Sequence, residues 1–482
     1  MKVVIIGAGL GGLATACRLA KAGHAVTVLE QDEKVGGRCN TFSMDGYTFD
    51  TGPSLLMMLD ALKEFYTTMG TSLEKELDLI RMQPNYQIRF DDKTVLTLTS
   101  DLADMLAQLE RFEQGSSKRF MEFLSQSKKD YRIAWKHFIN RNYDGVLDMV
   151  KPSALLPGLQ MNALGKLYSR MSLVFNDPRL RAAFTFQSMY LGTSPYESPA
   201  VYSILTHTEL MDGIYFPKGG MYKVAESLEK LARTHNVTIR TRTPVQRIIV
   251  ENNKASGVLL QDGTTLVADV IISNVDLPTT YERFLGRKKE ARKLEVSSSC
   301  LLLYLGATQQ FPRMLHHTVR LSGDYKQTFD DLFKRKTLPT ALNYYVCIPT
   351  MTDPSLAPPG CSSMMVLLPV PNLEAPIDWT TNAPILRDRL IDSMEKDFGM
   401  KGLRESLVVS EMMTPDDFER RFGMHRGSAF GVSHGLFQSA AFRPNNVDPR
   451  IKNLYYVGAS TNPGSGVPMV FIASKLVAER IL

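Results

Sequence analysis

The first thirty residues confine the fold more than any other stretch. Residues 2–6, KVVII, carry the β-branched run of a strand buried on both faces of a parallel sheet, and the run stops at Gly7-Ala8-Gly9-Leu10-Gly11-Gly12. From Leu10 to Lys21 a helical period places Leu13, Ala16, Cys17 and Ala20 on one face; Gly23 closes that helix, and AVTVL forms a second strand ending at Glu30. This is a complete β-α-β unit. Gly7 permits the tight turn, Gly9 lets backbone approach a pyrophosphate, and Gly12 lets helix and strand pack closely while the helix N-terminus faces the anion. Glu30 stands where a carboxylate accepts hydrogens from both ribose hydroxyls, and it would repel a 2′-phosphate. The expected fold class is therefore α/β, with a Rossmann-type dinucleotide domain.

Two further segments extend the site. Gln31 follows the acid, and Val35-Gly36-Gly37-Arg38 then puts two glycines and a cation beside the nucleotide, ahead of FDTGPS at 49–54 with Pro53. Near the other end, NLYYVGAS at 453–460 is a strand leading to Gly458, followed by TNPGSGVPMV and an apolar helix from about Pro468 to Ile481. Pro468 suits a first helical position, where its missing N–H costs nothing. With Val467 and Met469 it opens a helix whose N-terminus would stabilise negative charge on a bound cofactor.

Between these ends the pattern changes. Residues 236–274 read as a meander with turns at Asn252-Asn253 and Asp262-Gly263 that returns to the parallel sheet, with Val245 a core strand residue. Residues from about 100 to 235 are mainly helical, and 296–440 alternate strands with proline-rich turns. The segment 149–175 is apolar with scattered Lys151, Lys166 and Arg170, which suits either a membrane interface or core packing. A basic helix is expected over 282–295. At 482 residues the chain is long enough for two or three domains of roughly 100–200 residues each. A net charge of +6, dispersed along the chain, does not favour nucleic acid and fits an anionic membrane surface equally well. Five widely spaced cysteines form no disulfide or zinc pattern, and there is no signal peptide or spanning run, so a cytoplasmic protein peripheral to the inner face of the cell membrane is expected. The 24 methionines suit a passage for a long apolar molecule.

The Gly36-Gly37-Arg38 segment, so soon after Glu30, resembles the second part of the flavin fingerprint of the amine-oxidase and carotenoid-desaturase superfamily. TDPSLAPPG at 352–360, TPDDF at 414–418, HRGSAF at 425–430, FRPNN at 442–446 and GASTNPGSGVP at 458–468 resemble bacterial phytoene and diapophytoene desaturases along nearly the full chain. The resemblance implies a GR2-like flavoprotein: a discontinuous FAD-binding domain from residues 1–95, 221–295 and 441–482, a mixed-sheet substrate domain at 296–440, and a helical, membrane-associated cap at 96–220. It implies FAD, with the Val245 backbone against adenine. Trans double bonds would be introduced into phytoene or 4,4′-diapophytoene, with quinone or oxygen as electron acceptor.

A base is not singled out by pattern. Glu209, in THTELMDGIYFPKGG at 206–220, occupies a position that is acidic in the desaturases it resembles, and it reads either as a proton acceptor or as a carboxylate paired with a nearby cation; Asp212 is the weaker alternative. His316-His317 read as a polar loop, since adjacent strand residues point apart and no companion ligand is evident, so no metal is expected. Three rival functions use the same features: a carotenoid terminal-methyl oxygenase forming aldehydes, a non-catalytic carrier of flavin or carotenoid, and an amine oxidase.

Overall fold

The computed structural model describes residues 1–161 and 165–482. Five strands form a wholly parallel sheet in the order Leu454–Tyr456, Val270–Ser273, Lys2–Ile6, Ala25–Leu29 and Thr238–Arg240. Its central strand, with Val3, Val4, Ile5 and Ile6 buried, needs apolar cover on both sides. On one face lie the helices Leu10–Lys21, Lys223–Thr234 and Val467–Ile481, which bury Leu13, Leu228 and Phe471 with Val3 and Ile5. The antiparallel strands Val245–Glu251, Lys254–Leu260 and Thr265–Val267 cover the other face, joining Ile248 and Val258 to Val4 and Ile6. Chain start, middle and end are thus held in one sheet.

A second sheet of seven strands runs Leu407–Met413, Ser299–Ala307, Ser362–Val370, Tyr344–Cys347, His317–Leu321, Tyr86–Phe90 and Val95–Leu98. Every pairing is antiparallel except that of His317–Leu321 with Tyr86–Phe90. The last two strands depart from the expected end of the first nucleotide segment at residue 95. Tyr86, Ile88, Leu96 and Leu98 bury against the cap residues Phe120, Phe175 and Phe184, so the chain leaves the nucleotide domain before residue 86. The long helix Trp379–Phe398, capped by Asp378 accepting from the Thr380 N–H (3.0 Å), packs against one face of this sheet. Beside the other lies the cap, led by Leu102–Phe112 and Ser116–Ala134, with Met105 and Leu109 inward. The expected basic helix at 282–295 is broken: Gly286 takes φ +67°, and helix resumes only over Lys288–Lys293.

Candidate active site

A cavity of 570 Å³ runs between the two sheets. Its nucleotide end is built by the first β-α-β unit. The Gly7 N–H closes the turn onto the Leu29 carbonyl (2.7 Å) with φ +96°, a conformation L side chains avoid. A Cβ on Gly12 would lie 2.3 Å from the Gly7 carbonyl oxygen, so helix and strand approach as closely as the spacing requires. Glu30 is buried where the second strand ends; its carboxylate accepts the Ala8 N–H (2.7 Å) and the Asp32 N–H (3.0 Å), which oppose the upward pKa shift caused by burial. Gly36 donates to the Ala8 carbonyl (2.8 Å), laying the Gly36-Gly37 turn against the first glycine loop, and Arg38 lines the cavity while donating to the Ala429 carbonyl (2.6 Å). Gly7, Gly9, Gly11, Glu30, Gln31, Gly36, Gly37, Arg38, Pro53, Val245, Gly458, Val467, Pro468 and Met469 all line this cavity; Gly12 sits behind it.

The far end of the chain supplies the opposite wall. Val467 is the first residue of the C-terminal helix and Pro468 the second, one position later than expected. The loop before it is fixed by Arg443, which is 2% exposed. Its guanidinium donates to the carbonyls of Thr461 (3.0 Å), Ser433 (2.9 Å), Gln438 (3.0 Å), Val432 (3.0 Å) and Ala459 (2.5 Å), riveting 432–438 to 459–461. Asn274 bridges from the other side, donating to the Val457 carbonyl (2.7 Å) while its Oδ1 sits beneath Gly9. The buried His434 accepts the Ser465 N–H at Nε2 (3.1 Å), which places its proton on Nδ1; burial keeps the ring neutral.

Beyond the glycine loops the lining turns apolar: Phe186, Met189, Leu302, Val319, Leu321 and Leu367. Six phenols interrupt it, of Tyr190, Tyr202, Tyr325, Tyr344, Tyr345 and Tyr456. Tyr345 donates to Ser54 Oγ (2.9 Å) and meets His317 Nδ1 (2.7 Å), whereas the Tyr190 hydroxyl lies beside the Glu209 carboxyl. Glu209 lies behind this wall, fully buried, and is not itself a lining residue. Its Oε2 accepts from Tyr86 Oη (2.7 Å) and Gln187 Nε2 (3.1 Å), and burial pushes its pKa up to about 7. Among the described residues no cation joins it, so the ion-paired reading of Glu209 does not hold.

Set against known proteins, the chain matches the family described as flavin containing amine oxidoreductase over residues 10–482. It is 43% identical to the zeta-carotene-forming phytoene desaturase of Myxococcus xanthus, covering all of this chain and 94% of the relative. It is 34% identical to a 4,4′-diapophytoene desaturase (4,4′-diaponeurosporene-forming) of Staphylococcus haemolyticus, covering 100% and 99%. The chain belongs to the flavin-containing amine oxidoreductase family, in its carotenoid-desaturase branch. An oxidoreductase from Methanosarcina mazei shares the fold, with a TM-score of 0.68 at 21% identity over 99% of this chain and 100% of that one.

The cofactor of this family of flavoproteins is FAD, and the cavity fits it. A buried carboxylate stands at the adenosine end, glycine backbone where a pyrophosphate would press, Arg38 beyond it, and a helix N-terminus at the flavin end. Asn274, His434, Tyr190 and Tyr345, which line the cavity, and Arg443, which fixes two loops beside it, escaped the sequence reading because their contacts join segments apart in sequence; the one signal was Arg443 inside the FRPNN segment. His316 and His317 are a correction. Both are buried rather than in a polar loop, and strand pairing sets His317 opposite Cys347, so ligand atoms of all three lie within 4.8 Å of one another. The two Nδ1 atoms are engaged by Thr352 (2.6 Å) and Tyr345 (2.7 Å).

Proposed function

We propose that this flavoprotein desaturates a long apolar carotenoid hydrocarbon, phytoene or 4,4′-diapophytoene, introducing trans double bonds. The observation that carries the reading is a single cavity joining a dinucleotide cradle to an apolar chamber, in a chain related over its full length to carotenoid desaturases. Bound FAD supplies a hydride acceptor. The chain does the rest: Phe186, Leu302, Val319, Leu321 and Leu367 hold the polyene and exclude water, and the C-terminal helix directs its N-terminus at the flavin end of the cavity. Glu209 is the acid–base group placed behind that chamber. Incubating FAD-loaded enzyme with each hydrocarbon in liposomes and weighing the products tests the proposal. Loss of two hydrogens per step is expected; gain of oxygen at a terminal methyl, or FAD that neither hydrocarbon bleaches anaerobically, overturns it.

The proposal includes attachment to the cytoplasmic face of the membrane, with oxygen or a bilayer quinone as terminal oxidant. Among the described residues no helix is long and apolar enough to cross a membrane. The helix Pro152–Gln160 supports the reading, because Leu155, Leu156 and Leu159 face outward, flanked by the exposed Leu147 and Val150. Ala134, Met161 and Ile204 cluster beneath it, and Ile204 and Ile139 line the cavity, so an apolar substrate would reach the chamber without crossing water. Residues 162–164 of the apolar 149–175 segment lie outside the described residues.

A further inference from the structure

Glu209 is buried at 0% exposure and does not reach the cavity, so it cannot take a proton from a hydrocarbon lying there. Something on the wall must stand between them. Tyr190 does: it lines the cavity, and its phenol approaches the Glu209 carboxyl closely enough to favour the charged form. Among the described residues Oε1 of that carboxyl has no hydrogen-bond partner, whereas Oε2 is engaged by Tyr86 and Gln187. A lone pair therefore remains for one more donor, and catalytic hydrogen bonds often close only when substrate arrives.

The position along the cavity also fits. Tyr190 neighbours Tyr345, whose hydroxyl donates to Ser54 next to Pro53, and Leu191 faces His434, which takes the Ser465 N–H. Tyr190 is thus bracketed by the two loops that close on the flavin end. Of the other lining phenols Tyr345 is the one beside Tyr190, but its oxygen is already bonded on both sides, by Ser54 and His317, and the hydroxyls of Tyr202, Tyr325, Tyr344 and Tyr456 are held by Ser439, Thr185, Ser393 and Asp448.

We propose that Tyr190 is the residue that touches the substrate and accepts its proton, passing its own hydroxyl proton to Glu209. The inference rests on the desaturase reading above. In the balanced step, one carbon would lose a hydride to bound FAD, which would supply the two-electron acceptor. Its neighbour loses H⁺ to the Tyr190 oxygen, and the electrons of that second C–H bond form the new double bond. The phenolic proton moves to Glu209 Oε1, leaving Tyr190 neutral and Glu209 a carboxylic acid. A phenol is a weak base, yet a proton beside a carbon that has just lost hydride is acidic enough for it, provided a carboxylate takes up the phenolic proton.

The test follows anaerobic bleaching of bound FAD by each hydrocarbon in Tyr190→Phe, Glu209→Gln and Tyr345→Phe enzymes, alongside FAD content. The expected result is a loss of about 10²-fold in Tyr190→Phe and in Glu209→Gln, no further loss in the double variant, and FAD retained throughout. Bleaching in the parent should rise with pH through about 7 as Glu209 ionises, a limb absent from Glu209→Gln. The titratable groups facing that carboxyl are Tyr86 and Tyr190, with Tyr345 facing Tyr190. An independent readout is the infrared band of the protonated Glu209 carboxyl in enzyme carrying reduced FAD, which should shift on adding carotenoid to the parent and stay in place in Tyr190→Phe. Bleaching in Tyr190→Phe within twofold of the parent, or a loss confined to Tyr345→Phe, overturns the assignment. Should Tyr190→Phe fail to fold, the parent in deuterated solvent decides: about twofold slower bleaching supports the relay, and an unchanged rate overturns it. A parent that no carotenoid bleaches sinks the desaturase reading itself, a result distinct from a parent that bleaches normally alongside an unaffected Tyr190→Phe.

Discussion

Replacing Arg443 by methionine should loosen the flavin end of the cavity while leaving the two sheets intact. Hydrogen bonds from a charged donor contribute about 1.5–3 kcal/mol each, so the five that Arg443 makes total about 7 kcal/mol at the lower end. Burial works against them. With no carboxylate in hydrogen-bond contact among the described residues, it pulls the guanidinium pKa from 12.5 to about 10, a cost of about 3 kcal/mol. The difference, about 4 kcal/mol, is what Arg443→Met removes, and it falls on the junction between 432–438 and 459–461. Hydrogen–deuterium exchange at 457–462 should then quicken by about 10³-fold, with FAD lost on gel filtration, while exchange in Ser299–Ala307 and Ser362–Val370 stays as in the parent. Lysine at the same place offers three donors instead of five and should recover only part of the loss. Unchanged exchange at 457–462 with full FAD retention would refute the view that one buried cation rivets the two segments.

Glu209 also shapes stability against pH. An acid whose folded pKa is raised keeps its proton longer in the folded chain, so stability falls as pH rises from 4.5 to about 7 and then levels off; the expected loss is about 3 kcal/mol. Urea midpoints across that window should fall in the parent and stay nearly flat in Glu209→Gln; parallel slopes would contradict the burial argument. In Gly12→Ala the added Cβ meets the Gly7 carbonyl at 2.3 Å, backbone against backbone, which should cost about 2–3 kcal/mol and weaken FAD binding by about 10²-fold by calorimetry. Wild-type affinity there would mean that helix and strand can part. Leu156→Asp with Leu159→Asp changes only exposed positions, so the fold should shift by no more than about 0.5 kcal/mol while co-sedimentation with anionic liposomes drops at least about tenfold. Undiminished sedimentation would place the membrane face elsewhere.

The glycine cradle was legible because its logic is local. A β-branched strand, a Gly-x-Gly-x-x-Gly turn, a helix and a terminal acid must occur in that order and spacing, and every side chain involved lies within the first thirty residues. Gly36 to Arg38 and the Val467 helix were legible for the same reason, each being a backbone device written in consecutive residues. What the sequence by itself determined, then, is the nucleotide-binding backbone and, through resemblance along the whole chain, the flavin and the chemistry. Tertiary structure alone decided which side chains face the chamber. Strand pairing brought the two histidines beside Cys347, helix packing withdrew Glu209 behind the wall and put Tyr190 on it, and Arg443 found its five carbonyls across two loops. The physical reason is that a backbone turn depends on its neighbours in sequence, whereas burial and hydrogen-bond partnership depend on which segments meet once both sheets have closed on the cavity.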